Sequence, residues 1–189
     1  MIRVGDIDID VADRDQILQH FDHTPASRVQ NDAMVKHNTG VYVTDIPADP
    51  VSKLASIEYQ AAEERGYVKL DIINNSVYRL VESRQHLDQL LKRPTDWSKL
   101  QDPDFFQKLV HIGAHYNLSQ RLKEPIQSID HMAMFLALIR PAKRYLVGRT
   151  WSDIANDIWK PDPSGVYGFK KAHSYSYAHL VKIHMNLLT

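Results

Sequence analysis

The sequence predicts an α+β chain, with a small sheet-bearing segment over residues 1–80 followed by a helical segment over residues 81–189. Three observations predict it. Ile7-Asp8-Ile9-Asp10-Val11 and Val68-Lys69-Leu70-Asp71-Ile72 alternate apolar and polar residues with the period of a strand. Beyond residue 80 the apolar residues recur at helical spacing instead. Asp22-His23-Thr24-Pro25, Pro47, Pro50 and Gly66 break the first eighty residues into short pieces.

In order along the chain, the first strand sets Asp6, Asp8 and Asp10 on one face and Ile7, Ile9 and Val11 toward a core. Asp13 to Phe21 reads as a short helix with Ile17, Leu18 and Phe21 as its stripe, ended before Pro25. Gly40 to Thr44 has strand composition, Leu54 to Tyr59 reads as another strand, and Ala61 to Arg65 as one helical turn closed at Gly66. The strand around Lys69 and Asp71 follows, with Tyr67, Lys69 and Asp71 on one face. Val81–Leu91, Asp104–Leu122 and Ser128–Ile139 are candidate helices, the last with a Ser cap and a stop at Pro141. Thr150-Trp151-Ser152-Asp153 resembles a capping box. Lys160 to Gly168 reads as a loop before a final helix over Phe169–Leu187. That helix is expected to turn Phe169, Ala172, Ser176, Leu180, Val181 and Leu187 inward, and Lys170, His173, Ser174 and Tyr177 along a polar stripe. Trp97, Trp151 and Trp159 are expected in the core.

Composition narrows the function classes. The chain has 189 residues, 43% hydrophobic and 24% charged, no cysteine and no net charge. Disulfides and thiolate metal sites are excluded, and no run of eighteen apolar residues offers a membrane span. The acidic start lacks a signal-peptide pattern, so a cytoplasmic location is expected. Zero net charge hides an asymmetry: residues 1–66 carry 6 Lys+Arg and 12 Asp+Glu, residues 67–189 carry 17 and 11. An acidic half beside a basic one suits a cation site paired with a phosphate-binding surface, although solvated helix faces give the same count.

The candidate chemistry lies in the acids. If the two alternating strands are neighbours, Asp8, Asp10 and Asp71 converge, and close carboxylates are costly without a cation between them. Hard oxygen donors suit Mg²⁺ or Mn²⁺, and two such ions activate an attacking oxygen and stabilise a leaving one. Alternating acids on a strand also serve solubility alone. Lys36 and His37 before Gly40, Arg140 before Pro141, and Lys170, Lys171, His173 and Ser174 at the last helix are candidate anion ligands; each also fits an ordinary surface or capping role.

Read together, these pieces resemble the catalytic core of the C-family replicative DNA polymerases, the bacterial DNA polymerase III alpha subunit family. Asp8-Ile9-Asp10 followed by Arg14-Asp15-Gln16-Ile17 is similar to that family's Asp-x-Asp strand and the Arg-Asp helix start after it. Lys36-His37-Asn38-Thr39-Gly40-Val41 is similar to its Lys-His-x-x-Gly-Val strand, and Gly66-Tyr67-Val68-Lys69-Leu70-Asp71 to the segment carrying its third carboxylate. Ala137-Leu138-Ile139-Arg140-Pro141 resembles its Ala-Leu-x-Arg-Pro motif. The segment Phe169 to Tyr177 resembles its Phe-Asn-Lys-Ser-His-Ser-x-x-Tyr motif. All five occur in family order.

The resemblance implies a nucleotidyltransferase-type palm with a helical, fingers-like lobe packed on it. Asp8, Asp10 and Asp71 would be the catalytic carboxylates holding two Mg²⁺ or Mn²⁺ ions. Lys36, His37, Lys69, Arg140, Lys170, Lys171, His173 and Ser174 would meet the nucleoside triphosphate and the DNA primer-template, Lys69 also tempering carboxylate repulsion. The spacing departs from the family: 25 residues separate Asp10 from Lys36 where the family has well over a hundred, and Ala142-Lys143 stands in place of Gly-Pro. The family's phosphoesterase, hairpin, oligonucleotide-binding and clamp-binding parts have no counterpart. The expectation is a strongly reduced, phage-like core, distributive or completed by replication proteins, in a host cytoplasm if from a phage. Two alternatives stand beside it: a non-catalytic palm relic that binds DNA or a replication partner, and template-independent transfer of a nucleotide to a protein or small molecule.

Overall fold

The computed structural model describes residues 7–161 and 169–189. Asp6 and most of the Lys160–Gly168 loop lie outside the described residues. The class is α+β, as the sequence predicts: one mixed four-stranded sheet and a set of helices. Contacts divide the chain into two compact units, Met1–Leu80 and Val81–Thr189.

The first unit runs β1 (Ile7–Val11), α1 (Arg14–Leu18), β2 (Thr24–Gln30), β3 (Ala33–Tyr42), α2 (Tyr59–Glu64) and β4 (Leu70–Asn74). The sheet order is β1-β4-β3-β2, with β1 parallel to β4 and the other pairs antiparallel. β2 was not expected, because Pro25 read only as a helix stop. It exists because Asn31 and Asp32, both at positive φ (50° and 60°), form a two-residue hairpin turn that pairs Gln30 with Ala33. β3 is therefore longer and earlier than the expected Gly40–Thr44. Leu54–Tyr59 is not a strand: it contributes isolated bridges, Ala48 with Ala55 and Ser27 with Glu58, and its carbonyls at Ala55 and Ile57 accept the Ser27 hydroxyl.

Consecutive residues of β3 feed two cores. Val41 packs with Leu18 and Ile72, joined by Val11, Phe21 and Leu70; Tyr42 packs with Ala26, Ile46, Ala55 and Ala62, joined by Ile57 and Tyr67. Ile7 and Ile9 are exposed rather than core-facing (42% and 40%). β1 is an edge strand, and of its apolar residues only Val11 joins the core under α1.

The hairpin carries the irregularity that builds the site. Pro25 pairs with Val41 but Ser27 with Lys36, so the single residue Ala26 faces four residues of β3, His37 to Gly40. This wide bulge re-aims its side chains, as bulges beside functional sites do.

The second unit contains α3 (Arg84–Lys92), α4 (Pro103–Gln107), α5 (Tyr116–Ser119), α6 (Ile129–Leu138), α7 (Trp151–Asp157) and α8 (Lys171–Leu187). The helix expected over Asp104–Leu122 is broken. His111 sits at φ +64°, and a Cβ at Gly113 would lie 2.4 Å from the Gln107 carbonyl oxygen, so the chain turns tightly there. α6 is the central helix: every residue from Met132 to Leu138 is buried, and Ser128 caps it by accepting from His131 N–H. Thr150 caps α7 in the same way through Asp153 N–H. α8 presents Ser174, Ala178, Val181 and Met185 inward, at i, i+4, i+7 and i+11, while Ala172 and Ser176 are exposed. Of the expected inward residues Leu180 and Val181 are buried and Phe169 packs on the core, whereas Ala172 and Ser176 are not covered. Ser174 goes inside because its hydroxyl donates to the Ala133 carbonyl at 2.7 Å. Trp151 is buried, with its indole N–H donating to Pro125 O, and Trp97 and Trp159 pack against the same core.

Lys143 is buried, 3% exposed, and its ammonium donates to the carbonyls of Asp157 at 3.0 Å and Lys160 at 2.7 Å. It thereby satisfies backbone acceptors that the end of α7 leaves open. Lys143→Ala is expected to lower stability by about 2–4 kcal/mol, combining lost packing with unsatisfied carbonyls; urea unfolding of the full chain reads it directly.

Candidate functional site

The parallel pairing of β1 with β4 sets Asp8 directly opposite Asp71 and Asp10 opposite Ile73. Residues paired across a sheet share a face, and so do residues two apart on a strand, so Asp8, Asp10 and Asp71 share one face. Burial grades across them: Asp8 is exposed, Asp10 half-buried and Asp71 buried at 7% exposure. Burial and the nearby Asp10 charge together hold the Tyr78 hydroxyl above the usual phenol range.

Both oxygens of Asp71 are held. The Thr39 hydroxyl donates to Oδ1 at 2.7 Å, and the Lys69 ammonium pairs with Oδ2. Lys69 is itself buried, with its side chain 8% exposed and its ammonium 5.5 Å from the centroid of the Tyr59 ring. Gly40, paired with Asp71 across the sheet, makes room for this lysine: a Cβ there would meet Lys69 Cδ at 2.7 Å. The His37 ring closes the bulge, its Nδ1 accepting from Gly40 N–H at 3.0 Å and facing Thr39 N–H at 3.4 Å. A backbone N–H can only donate, so the neutral ring carries its proton on Nε2. The same Nδ1 stands 3.7 Å from Asp71 Oδ1. Lys36 is exposed on β3 opposite Ser27.

The donor set fits a hard divalent cation in its chemistry and its register: three carboxylates on one face of adjacent strands. The side chains are not gathered around such an ion. Among the described residues no three His, Cys, Asp or Glu side chains are placed to hold a metal, and Asp71 is turned to Lys69 and Thr39.

In the second unit Arg140 and His173 belong to one aromatic and basic cluster. The Arg140 guanidinium lies 4.6 Å from the centroid of the Phe169 ring. His173 meets Tyr177 edge-on at 5.1 Å, and His111 stacks on Tyr177 at 4.1 Å and 19°. Burial, then the charge of Arg140, pushes the His111 pKa down; burial, then Arg144 and Arg140, does the same for His115. Lys170 is exposed at the cap of α8. Lys171 turns to other rings, Trp159 at 6.0 Å and Tyr175 at 5.9 Å. Ser174 lies in the core on Ala133 rather than on a ligand-facing surface, which corrects its expected place in a polar stripe.

Thr39, Tyr59, His111, His115 and Arg144 were missed by the sequence reading. Thr39 stands inside the Lys36–Val41 motif, but its bond to Asp71 depends on the bulge in β3, which spacing does not reveal. No known family model, characterised protein or solved structure matches the chain.

A buried ion pair is most costly when half of it is removed. Lys69→Met alone is expected to cost about 3–5 kcal/mol, and Lys69→Met with Asp71→Asn much less, since no buried charge then lacks its partner. A double-mutant cycle in urea measures the difference; a double-variant loss equal to the sum of the two single losses would show that the pair does not couple.

Proposed function

We propose that this chain is a metal-dependent nucleotidyltransferase of DNA-polymerase type, distributive alone or completed by replication proteins. The observation that carries the reading is the register that sets Asp8 beside Asp71 with Asp10 two residues along, on one face of a mixed sheet. The order of five motifs along the chain supports it. A primer 3′-hydroxyl oxygen would attack the α-phosphorus of a nucleoside triphosphate. The new O–P bond forms as the bond to the β-phosphate oxygen breaks, pyrophosphate leaves and the hydroxyl proton passes to solvent. Mg²⁺ or Mn²⁺ held by Asp8, Asp10 and Asp71 would supply charge stabilisation at the attacking and leaving oxygens. Arg140, His173 and Lys170 would bind phosphates, the first as a planar fork. Lys36, exposed on β3, would meet the DNA backbone. Among the described residues no helix is long and apolar enough to cross a membrane, which fits soluble partners.

One observation favours a second reading, a non-catalytic palm that binds DNA or a replication partner: Asp71 is already neutralised by Lys69. Purified protein with Mg²⁺ or Mn²⁺, labelled nucleotides and primed template separates the two. The first reading expects template-directed extension that falls about a thousandfold in Asp8→Asn, Asp10→Asn and Asp71→Asn, the kinetic equivalent of several kcal/mol of lost charge stabilisation. No incorporation under any condition, with DNA binding unchanged by the same substitutions, would establish the second. Incorporation without template would point to transfer onto another acceptor.

A further inference from the structure

The two hydrogen-bond partners of Asp71 differ in kind. Lys69 brings a cation, which another cation can replace. Thr39 brings a neutral hydroxyl with one proton, and its partners are ranked by distance: Asp71 Oδ1 at 2.7 Å and His37 Nδ1 at 3.5 Å. The proton goes to Asp71, since the longer contact is at the limit of hydrogen bonding.

Thr39 is also well fixed. It sits in the His37–Gly40 bulge, whose backbone N–H groups at Thr39 and Gly40 point to the His37 ring, and Gly40 pairs with Asp71 itself. The donor is thus tied to the backbone of its acceptor. A carboxylate without such a donor rotates easily about its terminal torsion, which is broad and two-fold.

We propose that Thr39 is a positioning residue for Asp71: it pins Oδ1, so that Oδ2, paired with Lys69 in the resting protein, is the oxygen presented to a divalent cation. The inference rests on the metal-dependent reading above. In the metal-bound protein the ammonium gives way and the hydroxyl stays, so the carboxylate plane is already set when the cation arrives. Partners in this position hold the orientation of a ligand without touching the metal, and their loss weakens metal affinity about 10–100-fold.

The test uses the full chain and Mn²⁺ alone, with affinity read from water-proton relaxation and folding from the thermal midpoint. Thr39→Val keeps the shape and removes the donor; Thr39→Ser keeps the donor. Mn²⁺ binding about tenfold weaker in Thr39→Val, recovered in Thr39→Ser, with midpoints close to the parent, is the expected result. Should Thr39→Val prove unstable, Thr39→Ala makes the same deletion without bulk. Equal Mn²⁺ affinity in parent and donor-free variants, with Asp71→Asn unable to bind, overturns the role of Thr39 and leaves the metal site standing. Loss without recovery in Thr39→Ser overturns it too. A parent that binds no Mn²⁺, or binds it as well with Asp71→Asn, overturns the metal reading and the Thr39 role together.

Discussion

The buried pair of Lys69 and Asp71 is the constraint around which the first unit is arranged. Taking two charges out of water costs several kcal/mol each, and only close geometry with further hydrogen bonds offsets it. The surrounding residues supply that geometry. Thr39 takes the second oxygen of Asp71, Tyr59 presents its ring to the lysine, and Gly40 leaves the space through which the lysine stem passes. The bulge in β3 brings Thr39 and Gly40 into place, and the His37 ring holds the bulge. An acid that reads in the sequence as an uncompensated charge thus has a partner at each oxygen.

The same pair gives the functional reading its physical content. Asp8 is exposed on an edge strand and Asp10 half-buried beside it, while Asp71 is interior and held at both oxygens. In the second unit Arg140 and His173 share a cluster of rings with His111 and Tyr177, so a cationic fork is held against aromatic faces rather than left to move freely.

How much was legible follows from whether a signal was local. The first alternating strand, the Ser128 and Thr150 caps and the Gly66 stop at the end of α2 rest on residues within a few positions of one another, and all are found; the second strand lies at Leu70–Asn74, two residues later than the expected Val68–Ile72. β2 was hidden because its turn residues, Asn31 and Asp32, matter only once β3 is present to pair with it. On α8 Leu180 and Val181 are buried as expected, but Ser174 is not legible as a core residue, because a buried serine is tolerable only with an acceptor, and that acceptor, Ala133 O, lies 41 residues away in the chain. Ile7 and Ile9 alternate as core residues do, yet the edge position leaves them uncovered. Of the site, the shared face of Asp8 and Asp71 could be read from matching alternations, but the partnership of Thr39 with Asp71 required a bulge that no spacing rule announces.

That bulge has a mechanical consequence. Because β2 and β3 are paired in one register from Ser27 outward and in another at Thr24 and Pro25, the hairpin is two ladders joined by a bulge that the His37 ring ties down. A shift of the outer ladder, residues 27–36, therefore bears directly on Asp71, since Thr39 and Gly40 of the bulge bond to it and pair with it.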